Sequence, residues 1–197
     1  MQRKRLSYFG GLVFRDYLLR SPGIILESVV RANSPHSLVE GIRIVDHNPE
    51  TFKRFTNMTG EALMLVCESD QARFRRIQRE IRSVMNAPSI GCFDYCRPFR
   101  ACSIDSNSFY DSDDWLMTVK FTASALVYLA TFGRLYTLGI LRTPQTKKRF
   151  DSMCVHEALR FMKRLGMEST PWDPGCRTAP PTISQFIIER LLGFQNK

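Results

Sequence analysis

Six cysteines and three histidines are the residues of this chain best suited to metal or nucleophilic chemistry, and their spacing supports neither. Cys92, Cys96 and Cys102 form a group that Pro98 interrupts, with no histidine or fourth cysteine at finger spacing, so they read as loop thiols. His36 and His47 sit beside Pro35 and Pro49 without an acid–base partner at a recognisable spacing, and read as surface loop histidines. A Gly-rich phosphate loop, an HExxH pair, a Gly-x-Ser-x-Gly elbow and a Cys-x-x-Cys pair are all missing from the sequence. The expectation is therefore no catalytic residue, no metal and no cofactor: a protein that binds rather than one that turns over.

What chemistry remains is charge. Lysines and arginines number 28 against 19 acids, a net charge of +9, which makes acidic surfaces plausible partners, whether nucleic acid, anionic lipid or an acidic peptide. The basic residues cluster: Arg75, Arg76, Arg79 and Arg82 fall on one face of a predicted helix, Lys147–Arg149 form a KKR run, and Lys53, Arg54 and Phe55 a basic-aromatic patch. No long apolar segment follows Arg3, Lys4 and Arg5, so a reducing compartment and mostly free thiols are expected. With 197 residues, 44% hydrophobic and 14 Phe, the chain can bury one core. That predicts one domain over 1–197, with a short C-terminal helix or tail from about residue 178.

These residues need elements to carry them, and the most apolar run is Leu126 to Leu141, with Arg134 its one charge. At about 1.5 Å per residue it would make a helix of roughly 24 Å, too short and too charged for a comfortable bilayer span. It reads as a buried central helix that amphipathic helices must wrap. The wrapping helices are Leu6 to Arg20, stopped by Ser21-Pro22-Gly23, then Gly60 to Met85, then Phe150 to Leu165, closed by Gly166. In the second of these, Leu63, Cys67, Asp70, Ile77, Ile81 and Met85 share a stripe with Phe74, and Asp70, an acid on an apolar face, calls for a cationic partner or an edge position. Asp113 and Asp114 offer a cap for a helix at Trp115. Asn86 to Asp114 reads as loop with at most short helices, Ile24 to Gly60 as mixed, and Ile183 to Phe194 as an amphipathic segment too short to span a membrane. The fold class predicted is all-α: a globular bundle around a hydrophobic central helix.

The order of these elements resembles the Bcl-2 family of apoptosis regulators over roughly Leu12 to Gly175. Gly11 to Gly23 looks like the first helix of multidomain, Bok-like members. Ala125 to Ile140, with Phe132-Gly133, looks like the first homology motif, and Pro171–Gly175, carrying Trp172 and Asp173, like the second. The third is met either by Leu65, Ser69 and Asp70 or by Leu63, Cys67 and Glu68, the latter packing better. The family's groove arginine has no counterpart, which leaves Arg134 or Lys120 as substitutes.

The resemblance implies a non-enzymatic, pro-survival regulator that receives the death-motif helices of pro-apoptotic partners in an apolar groove. A membrane-permeabilising member of the family is the alternative. The groove residues it implies are Phe74, Ile77, Ile81, Val119, Leu126, Leu129, Phe132, Gly133 and Arg134. It also implies a cytoplasmic protein associating with the mitochondrial outer membrane, with the C-terminal anchor common in the family absent or removed after Lys197. The rival reading is a basic nucleic-acid-binding or assembly protein, supported by the arginine face, the KKR run and the Lys53–Phe55 patch. Against nucleic acid stand the lack of a recognised binding module and the frequency with which such faces are simply solvated.

Overall fold

A computed structural model describes residues 35–46, 48–86, 93–105 and 114–167. All of these fall in one compact unit, Pro35–Pro180; a second unit, Met1–Ser34 with Pro181–Lys197, contains none of them. The expected helix at Leu6 to Arg20, the Trp172 turn, Ile183 to Phe194, His47, Cys92 and Asp113 lie outside the described residues.

The architecture is α/β, and the all-α expectation is corrected by a five-stranded mixed sheet. Strands β1 (His36–Val39) and β2 (Ile42–Val45) form an antiparallel hairpin. Two helices, α1 (Pro49–Ser69) and α2 (Gln71–Glu80), lead to β3 (Ser83–Asn86). Strands β4 (Phe93–Cys96) and β5 (Ala101–Ile104) follow, joined by a 3-10 turn at Arg97–Phe99, and then α3 (Trp115–Thr137) and α4 (Lys147–Arg164). The spatial order is β1-β2-β3-β5-β4, with β3 parallel to both of its neighbours.

The helix expected over Gly60 to Met85 is two helices and a strand. Asp70 breaks it: at φ −156° and ψ 89° its backbone leaves the helix, and its side chain caps α2 by accepting from the Arg73 amide at 3.0 Å. Ile81 is already extended, and Ser83–Asn86 pairs on both sides in the middle of the sheet. The segment Asn86 to Asp114, expected as loop, supplies β4 and β5. All four residues of β5 are buried, so neither strand face shows the polar alternation that would reveal it in sequence.

At the start of α1 the chain is tied to the sheet. Asp46, at the end of β2, accepts from the Asn48 amide (2.9 Å), the Thr51 hydroxyl (2.7 Å) and the Asn86 side-chain amide (2.7 Å). A buried carboxylate with three donors is satisfied structurally. Asn48 then caps α1, with Pro49 in the first turn where no amide is needed.

Helix α3 is the core element. The central helix predicted from Leu126 onward is present but begins eleven residues earlier, capped by Asp114, and ends at Thr137. Fourteen of its positions are buried. It is long and apolar enough to cross a bilayer, yet 72% of that span is buried among its neighbours, as for the core helix of a folded domain. Its hydroxyls at Thr118, Thr122, Ser124, Thr131 and Thr137 each bond to the carbonyl four residues earlier, which lets polar side chains sit inside an apolar shell.

On the sheet, Ile44, Val84, Cys102 and Tyr95 stand in one cross-strand row, and Tyr95 meets α3 at Gly133. A Cβ at Gly133 would lie 2.6 Å from the Tyr95 ring, so this crossing requires glycine. Tyr95 is also held by donating its hydroxyl to the Glu80 carbonyl at 2.7 Å, and cannot step aside without breaking a buried bond. Gly133→Ala is expected to lower unfolding stability by about 2 kcal/mol, an overpacking cost measurable by denaturant titration.

Candidate anion-binding groove

Helices α2 and α4 are zipped together by charge. Asp70, between α1 and α2, is paired with Arg73 and with Arg164 of α4. Glu157 of α4 accepts from Arg76 at 2.9 Å and lies 3.3 Å from Arg73, so one glutamate ties down two arginines of α2. Arg73 also lies over the Phe161 ring at 5.9 Å. Asp70 therefore has the cationic partners its place on an apolar stripe demands. Burial by itself would raise its pKa, but the hydrogen bonds from Arg73 and the charges of Arg73 and Arg164 prevail and hold the carboxyl below the usual aspartate value.

Beside this seam the three helices α2, α3 and α4 leave an open groove of about 440 Å³. Its walls carry Arg76, Arg134, His156 and Arg160, over a floor that includes Thr131 and Leu135. The one acid in the lining is Glu157, already shared between Arg73 and Arg76. Arg76 is further anchored to the Thr131 hydroxyl at 3.3 Å. Arg134, His156 and Arg160 make no side-chain hydrogen bond or ion pair with the described residues. Arg76, already paired with Glu157, is thus joined in one cleft by Arg134 of α3 and Arg160 of α4, for which the lining holds no further acid, an arrangement suited to an anion with several oxygens.

No family model, curated protein or solved structure matches the chain. Nothing in it identifies a Bcl-2 family member.

The residues that resemblance implied as a peptide groove are placed differently. Phe74, Ile77, Ile81, Val119, Leu126 and Leu129 are all buried in the core. Phe132 is the centre of an aromatic cluster, with ring centroids 4.8 Å from Phe150, 5.2 Å from Tyr136 and 5.9 Å from Tyr95. Gly133 is closed off by Tyr95. Of the nine, Arg134 alone lines the open groove. Lys120, the other substitute cation, donates instead to the Leu165 carbonyl at 3.2 Å.

Of the four thiols among the described residues, Cys67 and Cys96 are half-buried. Cys102 and Cys154 are buried, and burial pushes Cys154 up to about 12, so it stays protonated and unreactive. Among the described residues no group of three or more histidines, cysteines or acids could hold a metal ion.

The sequence points to Arg76 and Arg134 but not to His156 and Arg160. Their signal was the i, i+4 spacing on the solvated side of α4, opposite the buried Phe150, Cys154, Ala158 and Phe161.

Two substitutions separate the roles of Asp70. Asp70→Asn keeps a capping oxygen but loses both ion pairs, and Asp70→Ala should cost about 1 kcal/mol beyond it through loss of the cap. Because the native pKa is depressed, the stability that Asp70 supplies is complete above the ordinary aspartate pKa. It is lost as pH falls through the lower native value, and Asp70→Asn should flatten that acid limb in pH-dependent denaturation.

Proposed function

We propose that the protein is a non-enzymatic binding module for phosphate-bearing polyanions, with the backbone of nucleic acid as its ligand. The observation that carries this is the convergence of Arg134, Arg160 and His156 on an open groove whose single acid is already engaged. Outside the groove, Arg75 of α2 and Arg82, just beyond that helix, are exposed. A formal charge of +9 provides the long-range attraction that brings a polyanion to such a face. Phosphate contacts of this kind position a strand without reading its bases, so the expected binding is sequence-tolerant and strongly salt-dependent.

The helix-in-groove reading needed an apolar trough made of residues that here fill the core, and it is not carried forward. Of the residues that suggested nucleic-acid binding in the sequence, Arg76 alone lines the groove and Phe55 of the Lys53–Phe55 patch is buried in the core; the proposal rests instead on Arg134 and Arg160.

A labelled single-stranded oligonucleotide should bind at low salt by fluorescence anisotropy, with log affinity falling linearly against log salt. Arg134→Ala and Arg160→Ala should each reduce that slope by about one, uniformly across oligonucleotide sequences. No binding at low salt, or an unchanged slope in the double variant, would contradict the proposal.

A further inference from the structure

Among the described residues, the turn between α3 and α4 carries the densest group of exposed aliphatic side chains. Leu138, Ile140 and Leu141 are 56%, 38% and 52% exposed, three large aliphatic side chains within four residues. Isolated apolar residues on a surface need no explanation, but a contiguous group does.

The turn is not loose chain. Gly139, at φ +78°, closes α3: its amide bonds to the Tyr136 carbonyl at 2.9 Å and the Ile140 amide to the Leu135 carbonyl at 3.0 Å, the paired bonds of a Schellman ending. Beyond it the Thr146 hydroxyl bonds to the Leu141 carbonyl at 2.5 Å, and the Thr143 amide donates to that same hydroxyl at 2.9 Å. Arg142 is locked onto Asp151 by two bonds of 2.7 and 2.9 Å. The backbone therefore holds the aliphatic side chains outward.

Immediately after Thr146, α4 opens with Lys147, Lys148 and Arg149, all exposed, and has no acid in its first turn. Cations at a helix N-terminus oppose the helix dipole. Both the dipole and these side chains favour an anion arriving from outside. The nearby acid, Asp151, is already bound to Arg142.

We infer that this turn docks on an anionic lipid bilayer, with Leu138, Ile140 and Leu141 entering the headgroup–acyl boundary and Lys147, Lys148 and Arg149 resting on the headgroups. Aliphatic side chains on a held turn gain nothing from a phosphodiester backbone, whereas such a turn leading directly into three exposed cations matches what an anionic membrane surface rewards: apolar insertion and charge attraction together. The inference does not depend on the groove, because these residues lie outside its lining.

The test is co-sedimentation of the full chain with vesicles of phosphatidylcholine alone or mixed with phosphatidylserine. Three proteins are compared: wild type, Ile140→Asp/Leu141→Asp and Lys147→Glu/Lys148→Glu, with folding checked by circular dichroism and mass by light scattering. Wild type should partition onto the serine-containing vesicles and not the neutral ones, and each double variant should lose roughly tenfold or more. Ile140→Asp/Leu141→Asp should keep wild-type oligonucleotide affinity, which separates this surface from the groove. Wild type staying in the supernatant, or variants binding vesicles as wild type does, would overturn the inference. So would an aspartate variant that dissociates an oligomer while vesicle binding persists, since the turn would then be a contact between copies.

Discussion

Burial of α3 is the constraint from which the rest of the described structure follows. A helix with fourteen buried positions must be covered on nearly every side, and here a sheet covers what a fourth or fifth helix would cover in a bundle. The β4 strand can approach because Gly133 leaves room for the Tyr95 ring. The hydroxyls along α3 bond back to carbonyls of the helix itself, and two of them also meet α2, Thr131 accepting from Arg76 and Thr137 lying 2.8 Å from the Glu80 carboxylate.

With α3 as axis, α2 and α4 come to lie side by side, and their shared seam is ionic rather than apolar. Asp70 and Glu157 are the only acids there, and three arginines compete for them. Paired in this way each of the three arginines has an acid, though the buried Arg73 Nε keeps no hydrogen bond, and both acids of the seam are consumed. Arg134 and Arg160 consequently face the groove, with His156 beside them, and no acid in its lining is left to pair with the two arginines. A cation-lined cleft is thus a by-product of how the two helices are joined, and it needs no dedicated loop or motif.

How much of this a reader could take from the sequence depended on element length. The long elements were legible: a buried helix through Leu126, the Asp114 cap, and a helix with Phe150, Cys154, Ala158 and Phe161 on its inner face ended by Gly166, which has φ +74°. The strands were not, because each is four residues long and β3 and β5 are covered on both faces, leaving no period-two pattern to see. Ile81 and Met85 extended the helical stripe of Phe74 by coincidence of spacing, which disguised β3 as a helix end. The Asp70 exception was visible, and its meaning as a break and cap was not. The groove was half legible: the arginine face of α2 was plain, but only tertiary packing shows that α4 brings His156 and Arg160 to meet Arg76 and Arg134.

The account stands or falls on where phosphate contacts the molecule, and amide-resolved chemical-shift mapping with a short oligonucleotide shows this directly. Shifts confined to Arg76, Thr131–Leu135 and Ser152–Arg160 are the predicted result. Shifts absent from those positions, with others spread elsewhere over the surface or with none at all, would contradict it.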